Sequence, residues 1–321
     1  MTMNILILSC GTRVKLVQYF LQRENGFEKV VVTDCSNYAP ALYVADKYYI
    51  VPKMTEPDYL KSLLEICEKE QIKVVLPLQE DELLLIAKER KQFEDLGILV
   101  AVSEYQNVLL CKDKYEMYQF LNNLQIPTIK TELVDDILES GNLDGDVFVK
   151  PRRGAGSVGA MRVATIALLS ALQNESENQL IVQPYIKGTE YGIDIYVDFI
   201  SKKTIGIFCK KKLRMRAGET EKSISVKIPE IEELVKKTIE VLHLRGPIDM
   251  DILEESGKYY ILEINPRFGG GYPHAYECGI NFPKMLAVNA KKMSNDKIEN
   301  EYKEGIIALK YSDVKIVKRD E

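Results

Sequence analysis

The segment that most constrains the fold and chemistry of this chain lies between residues 261 and 271. Glu263, Asn265 and Arg267 alternate there with leucine, isoleucine and proline positions, and three glycines follow. Alternate residues of a β-strand project from the same face, so this strand would carry a carboxylate, an amide and a guanidinium together. Carboxylate and amide oxygens suit Mg²⁺, and arginine binds phosphate or carboxylate. The pattern therefore indicates phosphoryl-transfer chemistry.

A second alternating segment lies directly upstream and is predicted to pair with the first. Asp249 and Asp251 alternate with apolar residues, and residues 254–258 read as a turn. A hairpin of suitable loop length would bring both aspartates to the same face as Glu263 and Asn265. Such a patch is self-repulsive unless cations lie within it. The alternative is the solvated outer face of an edge hairpin.

Composition limits the classes of protein to consider. The 321 residues suffice for two or three domains, and 46% hydrophobic with 28% charged residues is ordinary for a soluble protein. A net charge of −5 gives no reason to expect nucleic-acid binding. The six scattered cysteines look like reduced thiols, and the apolar N-terminal run is too short for a membrane span. We expect a cytoplasmic protein without nucleic-acid or membrane partners, with a homodimer left open.

The N-terminal third alternates strands with helices. This order predicts a parallel, Rossmann-like sheet that ends near Tyr105. Gly11 is the one glycine present of the three in a dinucleotide fingerprint, which disfavours a nicotinamide site. Asp34 either holds a ribose hydroxyl or caps a loop. Strands are predicted at 4–9, 29–33, 73–77 and 98–102, with helices after Gly11 and at 59–69 and 81–93.

The remaining two thirds read as α+β and carry most of the chemistry. Helices are predicted at 112–124 and 231–242, strands at 147–150, 161–163 and 179–185, a hairpin from 193–200 and 204–210, and a strand-like run at 306–317.

A glycine-rich loop follows Lys150. Gly154, Gly156, Ser157 and Gly159 would let backbone N–H groups approach phosphate oxygens, and Lys150 would add a positive charge. The lysine precedes the glycines, so the loop is not of the Walker A type. The alternative is a plain glycine-rich hairpin.

Two further segments could contact ligands. The strand end at Gln183, Tyr185 and Ile186 could receive a purine, with Glu190 on the ribose, although a surface loop explains it equally well. The basic run at 210–216 is either a mobile loop over an anionic site or a solvated face.

The glycine run and the two histidines complete the candidates. The glycines at 269–271 would permit close approach of a ligand, and His274 after them could face an acceptor site. His243 is expected to pack within a helix.

The order of these motifs resembles the ATP-grasp superfamily, within it the carbamoyl-phosphate-synthase-like and carboxylate–amine ligase branch. The resemblance covers essentially the whole chain. It implies an α/β and α+β fold, with a Rossmann-like N-terminal domain followed by an ATP-grasp fold of two α+β lobes. The implied domains are a pre-ATP-grasp domain at 1–106, an N-terminal lobe at 107–185, and a C-terminal lobe with the metal and catalytic site at 186–321.

The resemblance also implies roles for individual residues. ATP phosphates would lie at Lys114, Lys150, Gly154, Gly156 and Ser157, adenine at Gln183, Tyr185 and Ile186, the ribose at Glu190, Mg²⁺ (with Mn²⁺ as an alternative) at Asp251, Glu263 and Asn265, and the reacting groups at Arg267 and Asn265.

Arg216 joins these catalytic candidates from the basic run itself. Arg214 and Arg216 alternate with Met215, so in an extended loop both would point to one side. An arginine fixes a carboxylate by a bidentate contact, so we expect Arg216→Ala to impair the carboxylate substrate far more than ATP.

Two positions depart from the family pattern. Gln183 stands where many members have a glutamate, and Asp251 stands where carbamoyl-phosphate enzymes often have a glutamine. The sequence also lacks the second ATP-grasp half and the amidotransferase coupling of complete carbamoyl phosphate synthesis. We therefore do not expect carbamoyl phosphate as the product.

The function implied is an ADP-forming ligase that joins a small-molecule carboxylate to an amine or ammonia through an acyl phosphate. A carboxylate or carbamate kinase of carbamoyl-phosphate-synthase type would use the same ATP site. A non-catalytic ATP-binding regulator is the third reading, although the metal ligands are retained. An oxidoreductase would need the glycines missing near Gly11.

Overall fold

The computed structural model describes residues 3–154, 156, 158–216, 218–296 and 301–317. Its N-terminal part is a parallel five-stranded sheet in the order β3-β2-β1-β4-β5. The predicted parallel sheet is thus confirmed. The strands are β1 (Asn4–Ile7), β2 (Lys29–Asp34), β3 (Lys47–Ile50), β4 (Ile72–Leu76) and β5 (Leu99–Val100), and the helices are α1 (Val14–Leu21), α2 (Tyr59–Lys69), α3 (Glu80–Lys88), α4 (Arg90–Glu94) and α5 (Tyr105–Lys112), with 3-10 turns at Arg23–Asn25 and Pro40–Val44.

Three elements of this part differ from the prediction. Helix α5 was not predicted. Strand β3 was not predicted either, because it is a short edge strand in which every residue is at least partly exposed. The single helix expected at 81–93 is two helices that meet at Glu89. This break allows Arg90 to donate hydrogen bonds to the carbonyl oxygens of Val102 and Ser103, at 2.6 and 2.9 Å.

A four-stranded antiparallel sheet in the order β6-β9-β7-β8 follows. Asp113 caps the helix that leads into it, because its carboxylate accepts from the backbone N–H groups of Tyr115 and Glu116. The elements are α6 (Lys114–Asn123), β6 (Glu132–Leu133), α7 (Val134–Ser140), β7 (Val147–Pro151), β8 (Met161–Val163), α8 (Ile166–Glu175) and β9 (Leu180–Pro184).

The last part is an antiparallel six-stranded sheet in the order β14-β13-β10-β11-β12-β15. Amphipathic helix α9 buries six residues against one face of it. The elements are β10 (Thr189–Val197), β11 (Thr204–Arg216), β12 (Glu219–Val226), α9 (Pro229–Leu242), β13 (Gly246–Glu255), β14 (Lys258–Asn265), α10 (Tyr272–Glu277), α11 (Phe282–Ala290) and β15 (Ile307–Leu309).

The prediction of a mobile basic loop at 210–216 is wrong, because this run is the second half of β11 and pairs with β12. Lysine and arginine residues are tolerated in the strand because acidic partners lie within reach. Lys210 pairs with Asp194, and the Nζ atom of Lys212 lies 2.7 Å from Asp251. The charge of the run had suggested a loop, but acidic residues on neighbouring strands allow it to form a strand.

The N-terminal sheet and the six-stranded sheet share one hydrophobic core. The rings of Tyr19 and Tyr276 stack with centroids 3.8 Å apart, and those of Phe20 and Phe268 meet edge-on at 6.0 Å. This packing holds the end of α1 against the segment that follows β14. The domain limits at 106 and 185 stay a prediction. Within the described part of the chain, no helix is long and apolar enough to cross a membrane.

Candidate active site

A cleft of about 560 Å³ lies between the three sheets. The two antiparallel sheets contribute strand residues to its lining, whereas the N-terminal part contributes Leu78, Gln79 and Glu80 after β4 and Arg13 before α1. Most of the predicted site residues line it, namely Lys114, Lys150, Gly154, Gly156, Gln183, Tyr185, Ile186, Glu190, Asp251, Glu263, Asn265 and Arg267. Ser157 lies outside the described residues. Arg216 is described and does not line the cleft.

The acidic hairpin predicted from alternation is confirmed. In the register of β13 and β14, Asp249 lies opposite Asn265 and Asp251 lies opposite Glu263. Strand β14 is an edge strand of the sheet, but the side chains of these four residues line the cleft. The alternative of a solvated outer face is therefore wrong.

Lysines compensate the charge of this acidic face. The Nζ atom of Lys114 lies 3.3 Å from Glu263, and that of Lys212 lies 2.7 Å from Asp251. Lys212 reaches across Gly192, where an added Cβ would lie 3.4 Å from its Cε atom. Burial raises the pKa of Asp251 above its ordinary value, and Lys212 offsets this only in part. Burial alone would lower the pKa of Lys212, but Asp251 and Glu190 raise it overall.

The oxygens of Asp251, Glu263 and Asn265 are of the kind that Mg²⁺ prefers. In the described ranges, no three acidic, histidine or cysteine side chains converge in a ready-made metal cluster. Lysine ammonium groups stand beside these carboxylates instead. The donor chemistry fits a magnesium site, and the assignment of these residues as ligands stays a prediction.

Lys150 marks the other side of the cleft. Its side chain is buried, and among the residues described it forms no ion pair or side-chain hydrogen bond. Burial lowers its pKa, while the nearby Glu263 acts in the opposite direction. Lys114, by contrast, donates to the carbonyl oxygen of Gly154 at 2.7 Å. An uncompensated buried cation is costly, so a group that brings negative charge to Lys150 would stabilise this region.

The loop after Lys150 is closed by the β11–β12 turn. Gly156 and Gly159 have φ angles of +66° and +73°, which L side chains rarely adopt. A Cβ atom on Gly218 would lie 2.4 Å from the carbonyl oxygen of Gly156. The two turns therefore meet where the glycine loop borders the cleft.

The strand end at Gln183 offers a free hydrogen-bond acceptor. Its Nε2 atom donates to Thr131 at 2.9 Å, while its buried Oε1 atom has no hydrogen-bond partner in the described part of the chain. An amino group in the cleft would satisfy that oxygen, as expected for adenine. Tyr185 lies next to it, under the guanidinium of Arg162 at 4.4 Å. Glu190 lies 3.5 Å from the ammonium of Lys212.

Arg267 is held by two carboxylates at the far end of the cleft. Its guanidinium lies 3.3 Å from Asp249 and 3.2 Å from Glu80, which belongs to the N-terminal part. Burial alone would lower the pKa of Arg267, but Asp249 and Glu80 raise it overall. Lys210 pairs with Asp194 directly beneath this end.

The glycine run after Arg267 serves the protein's own side chains. A Cβ atom on Gly269 would lie 2.4 Å from the Oδ1 atom of Asp249, and one on Gly271 would lie 2.8 Å from the Cε atom of Lys210. These glycines therefore leave room for the protein's own side chains. Gly270 and Gly271 also line the cleft, and their close approach to a ligand stays a prediction.

Two other candidates have structural partners. The Arg216 side chain is 73% exposed and lies 3.5 Å from Glu221. His274 is buried, with Nδ1 2.8 Å from the Ser223 hydroxyl and Nε2 3.1 Å from the carbonyl oxygen of Ile306. Burial lowers the pKa of His274 to about 4, so it is a neutral packing residue near neutral pH.

His243 and Asp34 both occupy ends of elements. His243 is exposed at the C-terminus of α9 with a φ angle of +50°, so the expectation that it packs within the helix is wrong. The Asp34 carboxylate accepts from the backbone N–H groups of Gly11 and Ser36, both at 2.9 Å. It therefore caps the loop after β1.

Sequence reasoning missed Arg13, Glu80 and Thr131, and it included Lys212 only as part of the basic run at 210–216. The place of Lys212 in a strand could have been found by extending the strand periodicity through that run. Arg13 follows the first strand of a parallel sheet, and ligands commonly bind at such strand ends. Glu80 and Thr131 have no local signal, because tertiary packing brings Glu80 to the cleft and the buried Thr131 to Gln183.

Comparison with known families matches two regions of the chain. The model of an ATP-grasp domain matches residues 111–271. The model of a PylC-like N-terminal domain matches residues 5–101.

One curated relative and two solved structures illustrate the similarity. The arginine-specific large chain of carbamoyl phosphate synthase from Bacillus subtilis is 22% identical over 263 residues, 76% of this chain and 25% of the relative. The chain thus spans about a quarter of the length of such relatives.

The solved structures show the fold. A dimer of the biotin carboxylase domain of Hydrogenobacter thermophilus 2-oxoglutarate carboxylase, in complex with MgADP, ADP and bicarbonate, has a TM-score of 0.76 at 15% identity and covers 96% of this chain and 74% of that one. N5-carboxyaminoimidazole synthetase from Staphylococcus aureus with ADP has a TM-score of 0.74 at 18% identity, covering 92% and 80%.

Proposed function

Because the chain belongs to the ATP-grasp family, we propose that it is an ATP-dependent, ADP-forming ligase that joins a carboxylate to an amine or ammonia. One observation carries the proposal. Lys150 is a buried cation without a partner in the described residues, and the acidic face of β13 and β14 lies in the same cleft. A polyphosphate with its magnesium ions would complement both features at once.

The nucleotide would extend along one half of the cleft. Its phosphates would contact Lys114, Lys150 and the loop that contains Gly154, Gly156 and Ser157. Adenine would meet the unpartnered oxygen of Gln183, beside Tyr185 and Ile186, and the ribose would reach Glu190. Nucleotide binding would also draw Lys114 and Lys212 away from Glu263 and Asp251, which frees these carboxylates for metal. The neighbours solved with ADP or MgADP support this choice of ligand.

The reaction would proceed in two transfers. A carboxylate oxygen of the substrate attacks the γ-phosphorus, and the bond to the β,γ-bridging oxygen breaks, which releases ADP. The amine nitrogen then attacks the acyl carbon, phosphate leaves, and the nitrogen loses a proton. Mg²⁺ at Asp251, Glu263 and Asn265, or Mn²⁺ in its place, would neutralise charge on the phosphates.

The protein's own contribution would be positioning and charge. Arg267 would orient the reacting carboxylate, and it is itself oriented by Asp249 and Glu80. Asn265 follows Glu263 on the same strand face and would lie between metal and carboxylate. Arg216 is the least supported member, since it lies on the surface.

The alternatives share parts of this site. A kinase that releases its acyl phosphate would use the same groups, and only its product would differ. A non-catalytic regulator would not need the acidic hairpin that this chain retains. The similarity to carbamoyl phosphate synthase concerns about a quarter of that enzyme, so its product is not transferred to this chain.

The proposal is tested by trapping the acyl phosphate. Purified protein with Mg·ATP and a panel of ¹⁸O-labelled carboxylates should release ADP, form a hydroxamate with hydroxylamine, and place one ¹⁸O atom in phosphate. Label in AMP with release of pyrophosphate would instead indicate adenylation and would overturn the proposal. Formation of acyl phosphate that no added amine consumes would favour the kinase.

A homodimer remains a prediction for this chain. One of the similar structures is a dimer of a biotin carboxylase domain, which supports it only at the level of fold. Light scattering at several protein concentrations measures the oligomeric state directly.

A further inference from the structure

Six cationic side chains line the cleft, and they divide into two groups. Four of them stand beside carboxylates. Lys114 pairs with Glu263, Lys210 with Asp194, Lys212 with Asp251 and Glu190, and Arg267 with Asp249 and Glu80.

The other two, Lys150 and Arg13, form no ion pair or side-chain hydrogen bond within residues 3–154, 156, 158–216, 218–296 and 301–317. Lys150 is accounted for by the phosphates of the proposed nucleotide. Nothing in the proposed reaction uses Arg13.

Arg13 lies away from the nucleotide half of the cleft. It immediately precedes α1 in the N-terminal part, and its Nη1 atom would be 3.2 Å from a Cβ atom added to Gly270. Gly270 is the third residue after Arg267. Arg13 therefore reaches the backbone next to the arginine that would orient the reacting carboxylate.

The surroundings of Arg13 are electrostatically unusual. Burial and the neighbouring positive charge of Arg267 lower its pKa, while Glu219 and Asp249 act in the opposite direction. In the described residues neither carboxylate forms an ion pair with Arg13: Asp249 pairs with Arg267, and Glu219 pairs with Lys310, although its Oε1 atom would lie 3.4 Å from the same Cβ atom on Gly270. A partly buried guanidinium beside a second guanidinium is a site to which an anion brings favourable charge.

We infer that Arg13 binds a second anionic group of the substrate, so that the carboxylate substrate is a dianion with one acidic group at Arg267 and the other at Arg13. The second group is a carboxylate or a phosphate, which share the bidentate geometry that arginine recognises. The inference rests on the proposed function only in taking Arg267 as the site of the reacting carboxylate. The N-terminal part would thereby select the substrate that the ATP-binding part activates.

The test uses matched acids with and without the second charge. Protein loaded with Mg·ADP is titrated with succinate, glutarate and adipate, each against the monocarboxylate of equal carbon number, and dissociation constants are measured by ligand-observed NMR. At least one diacid should bind the unmodified protein about ten- to a hundredfold more tightly than its monoacid, as expected for a charge-assisted bidentate contact. In Arg13→Ala this preference should vanish while the affinity for ADP is unchanged.

Lys15→Ala is the matched control, because Lys15 is an exposed cation two residues away that does not line the cleft. It should keep the preference for the diacid, and Arg13→Lys should recover only part of it. A parallel titration with ω-phosphonocarboxylates identifies the second group. Tighter binding of the dicarboxylates would indicate a carboxylate, and tighter binding of the phosphonocarboxylates would indicate a phosphate. Thermal unfolding of each variant verifies that it is folded.

Equal binding of diacid and monoacid to the unmodified protein, or an unchanged preference in Arg13→Ala, would overturn the inference. This result does not depend on turnover. Arg13-dependent binding without hydroxamate formation would retain the assignment of Arg13 and reject the ligase. Hydroxamate formation without any effect of Arg13 on selectivity would support the ligase and reject the assignment of Arg13.

Discussion

Two hairpins of the six-stranded sheet carry opposite charges, and they differ in how those charges are used. In the β13–β14 hairpin, Asp249, Asp251 and Glu263 line the cleft, and Asp251 lies directly opposite Glu263. The β11–β12 hairpin carries a basic run of which only Lys210 and Lys212 face that cleft. Beyond them, Arg214 and Arg216 are exposed and share Glu221 at the surface.

The difference shows how position along a strand decides the role of a charge. Strand β10 separates the two hairpins, and Gly192 within it leaves room for lysines to reach the aspartates. Lys210 and Lys212, which lie beside Gly192, form ion pairs that are largely buried. Arg214 and Arg216, which lie further along β11, have an acidic partner only at the solvent-exposed surface. Substitutions in the two hairpins should therefore differ in both kind and size of effect.

The largest effect is expected from Glu263→Gln. This change removes a carboxylate proposed to hold metal while keeping its size, and turnover should fall by about a hundredfold or more. Glu263 is partly exposed, and its ion pair with Lys114 contributes little to folding, so the unfolding temperature should hardly change. Steady-state ADP release and thermal unfolding measure the two quantities.

Glu255→Gln is the control for this change, because Glu255 lies in the same hairpin but is exposed at its tip. It should leave both quantities unaltered. Retention of turnover in Glu263→Gln would break the assignment of the acidic hairpin as the reactive face.

A smaller effect, on stability, is expected from Lys212→Met. The variant leaves Asp251 in the cleft without its cation, which should lower the free energy of unfolding by about 2–3 kcal/mol. Saturating Mg·ADP should restore much of this loss if Asp251 then binds metal. Urea unfolding with and without Mg·ADP measures the difference.

Lys211→Met is the control variant, because Lys211 immediately precedes Lys212 and points to the opposite face of β11. We expect a change below about 0.5 kcal/mol there. Equal losses in the two variants would mean that the pairing across Gly192 contributes nothing particular to stability.

The smallest effect is expected from Arg216→Ala. From the sequence we expected this variant to impair the carboxylate substrate far more than ATP. The exposed position now favours a change of less than about threefold for both, because surface ion pairs contribute only about 0–1 kcal/mol. The values of kcat/KM for both substrates decide, and a selective loss of about tenfold for the carboxylate would return Arg216 to the site.

The spacing of apolar residues predicted those helices and strands in which the apolar positions are also the buried ones. Helix α2 has the predicted bounds, and the acidic hairpin has the predicted pairing. The errors fall where local pattern and tertiary contacts disagree. Strand β3 is a short edge strand in which every residue is at least partly exposed, and the basic half of β11 looks like a loop when its acidic partners are not considered.

By itself the sequence determined the parallel sheet, the acidic hairpin and the glycine loop after Lys150, because each depends on the spacing of residues within one short segment. The tertiary structure decided which charges are compensated. It brought Lys212 to Asp251 across Gly192, placed Glu80 beside Arg267, and left Lys150 and Arg13 without an ion pair among the residues that the structure describes. Such pairings join residues from separate elements, and their strength depends on burial and distance, neither of which a local pattern contains.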